Sequence, residues 1–209
     1  MVKKQAHFLV LMILLAALPA TGQAQDLNTV INNVTKAMGT ANLKTIRYSG
    51  SGSSYTAGKD VTWVKSYTRD IDLGVPTSRV QIVLEHGTEN QNIAADAPWP
   101  RQFELWTNPW MFLKGAAANK ATVSSQTVFA EKFTVVTFTL QNKYKVSGFI
   151  NDKNMIETIQ AWIDPNETLV ETTYRDYQDF NGVKLPTMII EKQAGELAMI
   201  VVVTDGKAN

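Results

Sequence analysis

The pair Asn181-Gly182 limits most sharply what this chain can fold into. Both residues accept the positive φ of a type I′ turn, so Asn-Gly between two strand-like runs is the strongest short-range signal for a β-hairpin. The flanking runs, 169–180 and 183–192, are rich in β-branched and aromatic residues. The same texture predicts strands over 127–141, 143–150, 155–163 and 196–204. Gln-Asn, Asn-Asp-Lys-Asn, Asp-Pro-Asn-Glu and Ala-Gly join them, all with turn chemistry. Connections this short demand antiparallel neighbours, so the second half reads as an up-and-down meander. Pro186 has no N–H for a ladder and favours an edge or a bulge in the returning strand.

The first half adds TIRYSGSGSS (45–54), VTWVKSYTRDID (61–72) and SRVQIVLE (78–85), three further strand-like runs. GSGSS (50–54) matches neither a phosphate loop nor a nucleophile elbow and reads as a flexible strand end. Ahead of these runs, Leu27, Val30, Ile31, Val34, Ala37 and Met38 form one stripe of a 3.6-residue helix. Asp26 suits its N-cap, and Gly39 the left-handed position after its end. Between 94 and 119 the strand pattern breaks, and Asn108-Pro109 signals a helix running to about Ala118 with Asn119 as its cap. The expected class is α+β: a large curved antiparallel meander with an N-terminal helix and a short mid-chain helix packed on it.

The first 24 residues read as a signal peptide. Lys3 and Lys4 precede an apolar run from Phe8 to Leu18, too short for a bilayer span of about 20 residues. Gly22-Gln23-Ala24 fits a small-x-small cleavage site, so export to the periplasm or medium is expected. No cysteine follows the run to carry a lipid, and no twin arginine precedes it. The remainder, 25–209, has the size of a single antiparallel-sheet domain able to bury a core. The precursor's 20 basic and 19 acidic side chains fall to a formal charge of −1 once Lys3 and Lys4 leave. That balance supplies no footprint for nucleic acid and no polybasic membrane patch. With zero cysteines there is no disulfide, thiolate metal site or cysteine nucleophile.

Chemistry has few places to reside. His86 is the one imidazole outside the signal peptide and sits before a turn, where a surface role is expected. A catalytic zinc needs three protein ligands, usually several of them histidines, so no metal and no cofactor are expected. Asp176 and Asp179, three residues apart, resemble an acid–base pair, but in a regular strand an odd separation sends side chains to opposite faces. Trp99, Trp106 and Trp110 would serve as a sugar-stacking platform, as a pocket wall, or as core.

Several segments resemble a known family. GFIND (148–152), WID (162–164), YQDFNGVKLPT (177–187) and VTD (203–205) are similar to the N-terminal, non-catalytic region of secreted bacterial metallo-β-lactamase-fold hydrolases. YSGSGSSYTAG (48–58), VKSYTRDID (64–72) and FLKGAAANKATV (112–123) look like earlier parts of it. More broadly, the N-terminal helix, the meander and DFNGVKLPT resemble the periplasmic lipoprotein-sorting, LolA-like half-barrel, whose concave side shelters acyl chains. The metal-binding histidines of those hydrolases lie downstream of the matching region, so no catalytic residue carries over. The leading expectation is an exported, non-enzymatic accessory or binding domain for a lipid or other apolar ligand. Its pocket would lie between sheet and helices, lined by Val30, Ile31, Val34, Trp106, Trp110, Phe112 and Trp162. The alternative is a truncated N-terminal portion of such a hydrolase, with a downstream or separate hydrolase domain as partner.

Overall fold

The computed structural model describes residues 26–56, 60–99, 101–163 and 168–209. The expected signal peptide and the Asp-Pro-Asn-Glu turn lie outside them. Eleven strands form one antiparallel sheet: β1 (Thr45–Thr56), β2 (Asp60–Asp72), β3 (Thr77–Leu84), β4 (Gly87–Ala94), β5 (Thr122–Val128), β6 (Glu131–Leu140), β7 (Tyr144–Ile150), β8 (Ile156–Trp162), β9 (Leu169–Phe180), β10 (Val183–Gln193) and β11 (Glu196–Ala208). Their spatial order is β4-β3-β2-β1-β11-β10-β9-β8-β7-β6-β5. Two meanders are thus sewn together where the first strand meets the last. Asn209 fastens that seam: its Oδ1 accepts the Lys44 N–H at 2.6 Å, and its Nδ2 donates to the Asn42 carbonyl at 3.0 Å.

Among the described residues, four tight turns use paired positive φ angles: Gln141-Asn142, Asn181-Gly182, Ala194-Gly195 and Phe129-Ala130. The first three follow the expected turn chemistry. The fourth divides the expected single strand 127–141 into β5 and β6, a correction with a plain cause. Phe and Ala carry no turn preference, yet ladder pairing of Val128 with Glu131 leaves them as a two-residue loop at φ 48° and 69°.

GSGSS also departs from expectation, lying inside β1 rather than at its end. Register shifts at Ser49/Gly50 against β11 and at Gly50/Gly52 against β2 mark bulges, which sharpen the twist of a sheet. A Cβ at Gly50 or Gly52 would meet the Val202 or Ile200 carbonyl oxygen at 1.9 Å, so the bent strand needs glycine for the close approach. β4 was not expected at all. Its Gly87–Asn92 stretch is exposed throughout, as befits an edge strand, and shows no apolar alternation. His86 lies in the exposed β3–β4 turn.

Helix α1 (Leu27–Met38) follows its stripe: Val30, Val34 and Met38 are buried, while the Asp26 carboxylate caps Thr29 N–H at 3.3 Å. At its end Gly39 takes φ +69° and rests against the Asn181-Gly182 turn; a Cβ there would meet Gly182 O at 1.8 Å. The hairpin that fixes the meander therefore also seats the first helix. α2 (Phe103–Trp106) and α3 (Pro109–Ala118) follow in mid-chain. Asn108 caps α3, its Oδ1 accepting the Met111 N–H at 2.9 Å.

Topology dictates where these two helices go. β4 and β5 are the opposite edges of the sheet and are consecutive in the chain. Ten inter-strand spacings of about 4.8 Å would part the edges by roughly 48 Å if the sheet were flat. The connection, residues 95–121, must therefore cross one face of the sheet. It does so as a helical crossover whose underside is core. Leu105, Met111 and Phe112 are fully buried, and each contributes about 1.5–3 kcal/mol by leaving water. Phe112 lies directly over the backbone of Gly148, where a Cβ would come within 2.3 Å of its ring.

Candidate functional site

The helix-covered face carries an aromatic layer. Trp110 approaches Tyr48 with ring centroids 6.0 Å apart, and Tyr48 stacks on Tyr67 at 6.1 Å. Trp106 meets Phe138 edge-on, and Phe112 packs on the same ring at 5.5 Å. Of the expected pocket lining, Val30, Val34, Trp106, Trp110 and Phe112 all join this single core, with Ile31 packed against it. Trp162 does not. Alternation along β8 buries Ile159 and Ala161 and sends Trp162 to the other face, where Lys145 Nζ lies 4.9 Å from its ring centre. Nor do the three crossover tryptophans share a solvent-facing plane. Trp106 and Trp110 are buried, and Trp99 stacks on Tyr144 at 4.3 Å.

The indole Nε1 atoms of Trp99, Trp106 and Trp110 are buried without a hydrogen-bond partner. An unsatisfied buried donor costs about 1–3 kcal/mol, so three on one short segment form an unusual concentration.

Polar bonds pin the crossover to the sheet at separate points. The Arg69 guanidinium, on β2, donates through Nη2 to the Glu104 carbonyl of α2 at 2.6 Å and through Nε to Ser78 Oγ at 2.8 Å. The Tyr174 hydroxyl, on β9, donates to the Thr107 carbonyl. Lys114 donates to the Leu73 carbonyl in the β2–β3 turn, while Gln102 donates to the Ala95 carbonyl within the crossover itself.

Around Arg69 these contacts enclose a polar nest that the sequence reading missed. A cavity of about 30 Å³ is lined by Tyr48, Tyr67, Arg69, Thr172, Tyr174 and Glu191, with Ile189, Met199 and Val201 completing its apolar side. Register explains the convergence: Tyr48 pairs with Arg69 across β1–β2, and Glu191 stands opposite Thr172 on β9 and Met199 on β11. Thr172 is 3% exposed, and its Oγ1 has no partner. Burial pushes the Glu191 carboxyl up to about 7, with the nearby Glu104 carboxylate adding to the rise and Arg69 opposing it. Burial likewise raises the Glu104 carboxyl against the pull of Arg69. The hydroxyls of Tyr48, Tyr67 and Tyr174 are raised first by burial and stay neutral at ordinary pH.

The acidic pair in the founding hairpin has other tasks. Asp179 Oδ1 accepts the Gly182 N–H at 2.7 Å, and its Oδ2 meets Lys184 at 3.2 Å. The Gly182 N–H and Lys184 together hold its carboxyl below the usual value. Asp176 takes φ +54°, and its carbonyl accepts from Thr187 Oγ1 at 2.7 Å. Both side chains are exposed. Pro186 pairs with Tyr177 on β9, but the β10–β11 ladder starts only at Met188, so its nitrogen costs no bond on that side. Among the described residues, no group of three His, Cys, Asp or Glu side chains could hold a metal. No helix among them is long and apolar enough to cross a membrane.

No family model and no curated protein matches the chain in sequence. Solved structures do match in fold. A LolA superfamily protein from Nitrosomonas europaea is 9% identical with a TM-score of 0.55, covering 89% of this chain and 94% of that one. A DUF1329 family protein from Desulfovibrio piger is 8% identical at a TM-score of 0.52, covering 88% and 93%. A putative outer membrane lipoprotein-sorting protein domain from Vibrio parahaemolyticus is 6% identical at 0.53, covering 88% and 94%. The fold is LolA-like.

Proposed function

We propose that the chain is an exported, non-enzymatic binding or accessory domain that shelters an apolar or lipid-like ligand between the sheet and the helical crossover. One observation carries the reading. The segment spanning both sheet edges lies on an aromatic face, is pinned by a few polar bonds, and holds three unpartnered indole N–H groups. Side chains fill the space beneath it, so a ligand enters by lifting the crossover, and its oxygen atoms then accept from the indoles. Val30, Ile31, Val34, Trp106, Trp110 and Phe112 supply the apolar lining. The likeness in fold to a lipoprotein-sorting domain supports a binding role of this type.

The test is a titration of the folded chain with the neutral apolar fluorophore N-phenyl-1-naphthylamine, following both probe and tryptophan emission. Saturable binding of one probe per chain is expected. A linear, non-saturating signal contradicts the reading.

A further inference from the structure

We infer that the nest around Arg69 and Glu191 is a head-group subsite that selects amphiphiles with an uncharged, hydroxyl-bearing head over those with charged heads. The inference rests on the proposed binding role and names the ligand class for that site. Thr172 points to a ligand most directly, being almost fully buried, on the wall of the cavity, and unpartnered at Oγ1. A threonine hydroxyl both donates and accepts, as do the three tyrosine hydroxyls around it. The cavity's roughly 30 Å³ has room for one hydroxyl group.

Charge decides the rest. The groups facing Glu191 are the Arg69 guanidinium from β2, the Glu104 carboxyl from α2, and the hydroxyls of Tyr48, Tyr67 and Tyr174 from β1, β2 and β9. One cation already stands against two carboxyl groups. A carboxylate head would add a third negative group, and among the described residues lining the cavity Arg69 is the one cation. An ammonium head would stand beside the guanidinium and could accept nothing from Thr172 or Arg69. A neutral hydroxyl can donate to Glu191 and accept from Thr172 or Arg69, and brings no charge to desolvate. Ile189, Met199 and Val201 then meet the first carbons of its chain.

The experiment displaces bound N-phenyl-1-naphthylamine at pH 8 with three C16 competitors: hexadecan-1-ol, palmitate and hexadecylammonium. The alcohol is expected to displace the probe about tenfold more tightly than either charged ligand, the scale of one unfavourable charge contact. Glu191→Gln removes a negative charge and narrows the gap between alcohol and palmitate to less than about threefold. Thr172→Val, nearly equal in shape, weakens the alcohol by about fivefold or more through loss of one buried hydrogen bond. Melting curves confirm that each variant is folded. Palmitate or hexadecylammonium binding as tightly as the alcohol overturns the assignment, as does a gap unchanged by Glu191→Gln. Failure of the probe itself to bind overturns the binding role and this inference with it, whereas equal displacement by all three heads removes the inference alone.

Discussion

Replacing Glu191 by Gln should stabilise the protein strongly at pH 8 and much less at pH 5. The carboxyl ordinarily titrates at 4.5, and in the fold burial raises it to about 7. Between those values the native chain holds a proton that the unfolded chain has released, so stability falls as pH rises through this window. The rise from 4.5 to about 7 corresponds to about 3.4 kcal/mol at most. The Glu191 side chain is only half-buried, and solvent screening reduces that to about 2–3 kcal/mol. Gln keeps the shape and cannot ionise, so the penalty vanishes. Urea unfolding by circular dichroism at pH 5, 6, 7 and 8 reads the effect, with the m-value showing that both proteins expose the same surface. Glu104 is raised too and remains in the variant, so the difference between the two proteins reports Glu191 together with its repulsion by Glu104. Parallel stability curves for wild type and variant across pH 5–8 would mean that Glu191 is not raised in the fold.

Other substitutions probe the frame. Phe112→Ala empties the space over Gly148 and should cost about 3–5 kcal/mol in thermal or urea unfolding. Asn108→Ala removes the cap of α3 and should cost about 1–2 kcal/mol. Changing Phe129-Ala130 to Asn-Gly should instead stabilise by about 1 kcal/mol, because both residues sit at positive φ and Phe129 is 99% exposed with nothing to lose. Gly39→Ala should cost more than the replacement of an ordinary helix-cap glycine, since the new methyl strikes Gly182 O as well as straining φ; the melting temperature of the variant reports it.

Much of the frame was legible because local signals agreed with one another. Asn181-Gly182, Asn108-Pro109 and the stripe of α1 each name their element without help from the rest of the chain. Phe129-Ala130 was illegible because ladder pairing on both sides, rather than turn preference, forces its geometry. β4 was illegible because Gly87–Asn92 is exposed throughout at an edge, which leaves no alternation to see. The apolar half of the site was visible as composition in Trp106, Trp110 and Phe112, but Trp162 joined that group only until strand parity placed it outside. The polar nest left a trace in Tyr67-x-Arg69-x-Ile71 and Ile189-x-Glu191, where charged residues occupy inward positions of strands. Such a trace becomes a site only through the register that sets Glu191 opposite Thr172 and Arg69 opposite Tyr48, and pairing between residues so far apart in the chain cannot be read from either strand alone.

Hydrogen–deuterium exchange with and without saturating N-phenyl-1-naphthylamine decides whether an apolar ligand enters by lifting the crossover from the sheet. Binding is expected to change exchange in Phe103–Trp106 and Pro109–Ala118 while the ladders of β6 to β9 keep their protection. Saturable binding that leaves the exchange of both crossover helices unaltered would contradict entry by that route.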